Sequence, residues 1–349
     1  MVAGPADPGG RLSGPEVHLN NGFLIRNKYK VVTKLGEGGY GAVYQVEEVG
    51  TGVAYALKVE SRLIKKSQVL KMEVAAMKML RRWSKHVPVL RAAGTLDTIS
   101  WHVTQLVGTN LSDRRRQLPD GKFSLATTVK LALQGIDALE EVHQVGLLHR
   151  DVKPSNFATG RLADTEKQLY ILDFGLARHY RLPGEKTLRK PRSYAGFRGT
   201  TRYCSIAAHE GKEMGRQDDL ICLIYMMMEL VIGLPWRTMT EKSHIWKCKA
   251  EMSSEDLFHD SPVELRQMFD YLKTIDYYTE PNYAWLKASL HKVMQRRGYT
   301  FESPYDWMEG GEGYRHTLRG KVPDYSGYPK TDLQASKAHG TSTTNLPAS

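Results

Sequence analysis

Apolar and polar residues alternate along the first folded stretch of the chain. Tyr29, Val31 and Thr33, then Ala42, Tyr44 and Val46, occupy alternate positions on either side of the glycine-rich run Gly36 to Gly41, which predicts strand, turn, strand between Lys28 and about Glu48. Val53 to Val59 predicts a third strand. From Ser67 to Arg82 the period lengthens, and Leu70, Val74, Met77 and Leu80 make the apolar stripe of a helix, with the charged Glu73 inside it. Strand-like runs return at Val89 to Thr95 and Trp101 to Leu106. After Gly108 the pattern becomes helical: Ser124 to Gln144 reads as a long amphipathic helix, and later segments are largely helical apart from short strands around Asp151 and Asp173. The fold expected is α+β, a small β-rich lobe with one helix (28–107) followed by a larger α-helical lobe (108–309). The apolar run Leu220 to Ile232 contains Glu229 and is too short to span a bilayer, so it reads as a buried core helix.

Both ends read differently from the middle. Residues 1–27 are rich in Gly and Pro without the apolar core of a secretory signal, which suggests a flexible leader, and residues 310–349 turn to Gly, Ser, Thr, Lys and Pro without periodicity, which suggests a disordered tail. The 349 residues are 41% hydrophobic, ample for a core. Three cysteines, Cys204, Cys222 and Cys248, form no CxxC pair, which disfavours a disulfide framework or zinc site and fits an intracellular compartment, cytoplasmic or nuclear. A net charge of +11 raises nucleic acid as a partner. The cations are spread along the chain without a nucleic-acid-binding motif, so a basic surface that meets acidic proteins is the better reading, with neither nucleic acid nor membrane expected.

The candidate chemistry begins at Gly36-Glu37-Gly38-Gly39-Tyr40-Gly41. A dinucleotide fingerprint with this spacing runs from strand into helix; here the glycines run into the alternating Ala42 to Val46 strand, which suits a hairpin folded over phosphates. Leu35, Ala42 and Val43 flank it. Lys58 lies in an apolar strand and Glu73 in an apolar stripe; each charge is expensive to bury alone, and the two account for each other as a pair. Leu148 to Asn156 then places Asp151, Lys153 and Asn156 in one short loop, with Asp173-Phe174-Gly175 beginning seventeen residues after Asn156. A base Asp, an Asn five residues on and a second Asp opening the next loop are the spacing of phosphoryl transfer in protein kinases. Asp151 would orient or deprotonate an acceptor hydroxyl, Lys153 would reach the transferred group, and Asn156 and Asp173 would offer Mg²⁺ its oxygen ligands beside ATP.

With these residues in place the chain resembles a eukaryotic protein kinase from about Lys28 to Glu309. Lys153 with Gly199-Thr200 resembles serine/threonine kinases. Most kinases close the activation segment with Ala-Pro-Glu, whose Glu pairs with a distant Arg. Tyr203-Cys204-Ser205-Ile206-Ala207 instead resembles the casein kinase 1 group, and Ala207 cannot make that pair, so the segment must be anchored otherwise. Val69-Leu70-Lys71-Met72-Glu73-Val74, Leu172 to Arg178, Ala195 to Thr200, Met214 to Leu220 and the closing Pro304-Tyr305-Asp306-Trp307 are most similar to tau-tubulin kinases. The resemblance implies that Asp219 holds the catalytic-loop backbone, Asp113 meets the ribose, Gln105 and Leu106 line the adenine site, and Thr104 stands where close relatives carry Met. Thr104, Cys204, Ile221 and Cys222 mark a divergent member. Protein substrates are implied, whether acidic, phosphorylated or cytoskeletal.

Arg178, Arg189, Lys190, Arg192, Arg198 and Arg202 crowd the region between Asp173 and Tyr203. Arg178, Arg198 and Arg202 are the candidates for contacting acidic or phosphorylated substrate residues, since a guanidinium binds phosphate bidentately. Ser193, Tyr194 and Thr201 are hydroxyls in the same loop, and the casein kinase 1 resemblance implies activity without their phosphorylation. The rival class is a catalytically silent kinase fold serving as scaffold or cytoskeletal binding module; loss of Lys58, Asp151 or Asp173 would mark it, and all three are present.

Overall fold

Alternation becomes a sheet of six antiparallel strands: β1 (Leu24–Ile25), β2 (Tyr29–Gly38), β3 (Gly41–Glu48), β4 (Ala54–Ser61), β5 (Leu90–Leu96) and β6 (Ile99–Gln105), in the order β1-β2-β3-β4-β6-β5. The structure, a computed structural model, describes residues 17–38, 41–63, 69–118 and 120–314. Tyr29, Val31, Ala42, Tyr44, Val46, Leu57, Val59, Trp101 and Val103 pack together on the inner face of the sheet. Thr33, the next residue in the alternation, is exposed. Register shifts between Val31 and Thr33 and between Lys34 and Gly36 break the alternation there, as bulges do, and carry the glycine hairpin out of the packed face.

The helix of this lobe, α1 (Val69–Leu80), ends two residues before the expected Arg82, and its expected start at Ser67 lies outside the described residues. Its buried face is Leu70, Glu73, Ala76, Met77 and Leu80, so Val74 falls at the margin and Glu73 at the centre of the stripe. The sheet also starts before Lys28. The Leu19 amide donates to the Tyr44 hydroxyl at 3.0 Å and that hydroxyl donates to the Val17 carbonyl at 3.2 Å, so residues 17–27, assigned to the leader by sequence, lie against the first lobe. The rest of the leader (1–16) and the tail from 315 lie outside the described residues.

The second lobe is built on α2 (Leu111–Arg116), α3 (Leu125–Gln144), α4 (Ile206–His209), α5 (Arg216–Val231), α6 (Lys242–Glu251), α7 (Ser254–Leu257), α8 (Val263–Thr274) and α9 (Tyr283–Arg297). Between α3 and α4 lie the short strands β7 (Leu147–Leu148), β8 (Phe157–Thr159), β9 (Leu169–Ile171) and β10 (Arg178–His179), pairing as β10-β7 and β8-β9. Helix α5 is the apolar run of the sequence and is buried from Asp218 through Leu230, between α3 and α8. Among the described residues no helix is long and apolar enough to cross a membrane.

Ser124 caps α3, accepting from the Thr127 amide, and its own amide and hydroxyl donate to Asp306, both at 2.7 Å. The buried Lys130 ammonium donates to the carbonyls of Ser303 and Pro304 at 2.7 and 3.2 Å and lies 4.1 Å from the Tyr305 ring centre, while Tyr305 stacks on Trp307. The Pro304 to Trp307 motif is thus a clasp that ties the chain back onto α3. Residues 310–314, placed in the tail by sequence, form turns against the clasp, with Gly311 close to the Tyr305 carbonyl.

Candidate active site

The two lobes meet at the Lys58 ammonium. It donates to Glu73 Oε2 at 2.8 Å and to Asp173 Oδ1 at 3.0 Å, joining β4, α1 and the loop after β9. Burial alone would lower the Lys58 pKa; Glu73 and Asp173 outweigh it and hold the proton on. Burial likewise works to raise the Glu73 carboxyl, and Lys58 with His102 overcomes it, drawing the pKa down to about 2. His102, on β6 opposite Lys58, stands 3.4 Å from Glu73 through Nε2. Asp173 adopts a left-handed conformation at φ 62°, uncommon for a residue with a side chain, and this turns its carboxylate so that Oδ1 also accepts from the Gly175 amide. A Cβ on Gly175 would stand 2.3 Å from Val69 Cγ1, so the absence of a side chain there lets α1 close over the turn.

Asp151 follows β7 in a loop rather than lying in a strand. Three neighbours fix its carboxylate: Lys153 Nζ at 2.6 Å from Oδ2, the Thr200 hydroxyl donating to Oδ1 at 2.8 Å, and the Asn156 amide donating to Oδ2 at 3.2 Å and to the Asp151 carbonyl at 2.8 Å. Lys153 also donates to Thr200 Oγ1 at 3.1 Å. Asn156 commits its amide nitrogen to Asp151, which leaves its amide oxygen as the end suited to a cation.

The loop backbone is held from below by α5. Asp219, fully buried, accepts from the amides of His149 at 2.7 Å and Arg150 at 2.8 Å and from His143 Nε2 at 3.0 Å. Burial pushes its pKa up, and these donors, His143 first, overcome it and keep the carboxylate ionised. Arg150 is left-handed at φ 66°, and Phe174 packs edge-on against the His149 ring at 5.2 Å. Three carboxylates and two lysines from four separate parts of the chain therefore converge in one cleft between the lobes.

A family profile for the protein kinase domain matches residues 29–298. A Dictyostelium discoideum protein named as a serine/threonine-protein kinase is 39% identical over 287 residues, 82% of this chain and 57% of that protein. This chain thus spans less than two thirds of that relative. A Caenorhabditis elegans serine/threonine-protein kinase is 34% identical over 300 residues, 82% of this chain and 78% of that one. Another protein of that organism, named for casein kinase I, is 32% identical over 313 residues, 87% of this chain and 89% of its own length. This chain belongs to the family of protein serine/threonine kinases.

The remaining expected residues of the kinase site divide into those brought together and those not. Gly36, Glu37 and Gly38 end β2 and Gly41, Ala42 and Val43 open β3, while Gly39 and Tyr40 between them lie outside the described residues. A Cβ at Gly36 or Gly38 would meet nothing within 4 Å, open space over the cleft that fits a phosphate-covering hairpin; at Gly41 it would lie 1.9 Å from the Val59 carbonyl. Leu35 is exposed and Val43 lies opposite Lys58. At the end of β6, Thr104 and Leu106 are buried, and Gln105 crosses to the Tyr170 hydroxyl at 3.4 Å. Asp113 lies in the first turn of α2 with both carboxylate oxygens engaged, one by the Asn110 amide at 2.8 Å and the other by Arg116.

The three candidate arginines are not gathered at one point. Arg178 and Arg192 share Glu213, with Arg192 Nε at 2.5 Å and Arg178 Nε at 3.4 Å. Arg202 turns away toward Glu229, 3.5 Å, and the Arg237 carbonyl, 2.6 Å, while Arg198 donates to the neighbouring Phe197 carbonyl. Arg150 completes the first group: burial, then the Arg178 charge, lowers its pKa to about 10. His102 and Glu213 were not singled out from sequence, and Glu229 was noted only as a charge within the apolar run. His102 carried a signal, a polar residue inside a run of buried strand positions; the two glutamates find their cations only through the fold.

Proposed function

We propose that the chain transfers the γ-phosphoryl group of Mg·ATP to serine or threonine hydroxyls of protein substrates, through a kinase domain spanning about 28–309. The observation that carries this reading is the pair of linked constellations in the cleft: Lys58 held by both Glu73 and Asp173, and Asp151 held by Lys153, Thr200 and Asn156. Asn156 and Asp173 would hold Mg²⁺, whose charge offsets that of the phosphates when ATP is bound. Lys58 would orient the phosphates, and the backbone of the glycine hairpin, Gly36 to Gly38 and Gly41, would cover them. Asp151 would align the acceptor hydroxyl and take its proton as that oxygen bonds to the γ-phosphorus and the bond from the γ-phosphorus to the bridging oxygen breaks, ADP leaving, while Lys153 would offset charge on the transferred group. Thr200, which donates to Asp151 and accepts from Lys153, opens the segment that would carry the acceptor peptide.

Membership of the casein kinase 1 group and closeness to tau-tubulin kinases rest on the motifs quoted above, and the similarity to a protein named for casein kinase I supports the first. Cytoskeletal substrates rest on that resemblance alone. Arg178 and Arg192 share the carboxylate of Glu213 with the Arg150 charge nearby, and this excess positive charge beside the activation segment supports acidic or phosphorylated residues near the acceptor. Transfer to a panel of unprimed, acidic and prephosphorylated Ser/Thr peptides tests both parts. Asp151→Asn is expected to lower turnover by about a thousandfold or more while sparing ATP binding; near-full activity would refute the role of Asp151. Indifference to upstream acidic or phosphorylated residues would remove the substrate preference and leave the reaction standing.

A further inference from the structure

The segment from Thr200 to Ser205 links the Asp151 loop to α4, and it is gripped from beneath by its backbone carbonyls. Lys249, on α6 and 5% exposed, donates its ammonium to the Thr201 carbonyl at 2.8 Å and the Cys204 carbonyl at 2.7 Å. His209 Nε2 stands 3.3 Å from the same ammonium, and the Tyr225 and Trp236 ring centres lie 5.0 and 5.2 Å from it. Trp236 Nε1 donates to the Arg202 carbonyl between the two lysine contacts, at 2.8 Å. Among the described residues no carboxylate pairs with Lys249. A buried ammonium without an anion is costly, and here peptide carbonyls and aromatic faces are what offset the cost. Ala207, on α4, has no charge with which to fasten the segment.

We infer that Lys249 is a positioning residue for the phosphoacceptor: its ammonium fixes the Thr201 and Cys204 carbonyls and so sets the Thr200 hydroxyl, one residue away, against Asp151 and Lys153. The inference rests on the reading of Asp151 as the residue that aligns the acceptor. The chain of contacts is short and continuous: Lys249 to the Thr201 carbonyl, then the Thr200 hydroxyl to Asp151 Oδ1 at 2.8 Å and Lys153 Nζ to that hydroxyl at 3.1 Å. Loss of the ammonium therefore loosens the surface on which a peptide lies, while Lys58, Glu73 and the glycine hairpin on the other lobe keep their contacts.

Burial lowers the Lys249 pKa to about 8. The titratable groups that face it are Cys204 on the segment, His209 on α4, Cys222 and Tyr225 on α5, and Cys248 and Lys242 on its own helix. Burial holds the thiols and the phenol protonated, raising Cys204 to about 11 and Cys222, Tyr225 and Cys248 above their ordinary values. It also holds His209, first by desolvation and then by the Lys249 charge, neutral down to about pH 4. Lys249 is then the buried group of this set whose charge changes as pH rises through about 8, and peptide phosphorylation should weaken as it does.

The test uses the full chain as wild type, Lys249→Met and Lys249→Gln. Hydrogen exchange is followed over residues 198–209, and rates are measured with Mg·ATP and an acidic Ser peptide between pH 6.5 and 9. In Lys249→Met, exchange at 200–206 should rise. Its peptide kcat/KM should fall by about tenfold at pH 7, the scale of one lost charge-assisted hydrogen bond, with the KM for ATP unchanged within about twofold. Its pH profile should lose the decline above pH 8, and Lys249→Gln, which keeps a neutral donor and serves if the Met variant does not fold, should fall between. Unchanged exchange with unchanged peptide kcat/KM overturns the inference, and so does an equal rise in the KM for ATP. If the wild type transfers no phosphate, the kinase reading fails by itself, and exchange at 200–206 still decides whether Lys249 anchors the segment.

Discussion

Glu73 is a carboxylate at the centre of an apolar helix face, with Lys58 and His102 as its nearest polar partners. Replacing it with Gln leaves a buried ammonium short of one anion, and the expected cost is about 3 kcal/mol in stability together with a rise in the KM for ATP, read by thermal melts and steady-state rates. The sign of the pH dependence follows from its lowered pKa. Its contribution is whole above the ordinary value of 4.5 and is lost as pH falls toward about 2, so melting temperatures should drop through that window in the wild type and less in Glu73→Gln. Lys58, Glu73, Asp151, Asn156 and Asp173 were legible in the sequence because their chemistry fixes their spacing. Lys249 was not, because its partners are backbone carbonyls 48 and 45 residues away and any residue type could supply them. The spread of Arg178, Arg198 and Arg202 over separate partners was hidden for the same reason: proximity in sequence says little about which way a guanidinium turns.

The glycine hairpin separates two kinds of glycine that the motif shows as alike. Gly38→Ala adds a methyl group to open space and is expected to leave the melting temperature unchanged while weakening ATP, as a higher KM would show. Gly41→Ala drives a methyl group to 1.9 Å from the Val59 carbonyl in the β3–β4 ladder, so it should destabilise the first lobe by about 2 kcal/mol or more, visible in melts without ligand. Equal behaviour of the two variants would contradict the placement of the hairpin. Strands and helices were legible wherever period and burial agreed, as in β3 and α3. Thr33 and Val74 broke from the pattern because bulges in β2 and the off-centre contact face of α1 are properties of the packed lobe, not of local period.

At the scale of the molecule the lobes are joined by Lys58 to Asp173, Gln105 to Tyr170, His86 to the Leu169 carbonyl and the Ile171 amide, and α1 against the turn Phe174–Leu176, with Ala76, Met77 and Leu80 of α1 in the same apolar core as the second lobe. The second lobe is closed by the clasp of Asp306 on Ser124 and Lys130 on the chain before it. Asp306→Ala removes two hydrogen bonds to a charged acceptor and is expected to cost about 2 kcal/mol, a fall in melting temperature of roughly 4–8 °C, without changing the KM for ATP. The two-lobed plan could be read from the change in period near Gly108. The clasp could not, since Ser124 and Asp306 are 182 residues apart and meet only once α3 and the chain after α9 have packed. The most direct measurement is transfer of labelled phosphate from Mg·ATP to Ser/Thr peptides by the wild type beside Asp151→Asn. Labelled peptide that disappears in the variant, with ATP still bound, is the expected result; ATP binding with no transfer by the wild type, or transfer undiminished in Asp151→Asn, would contradict it.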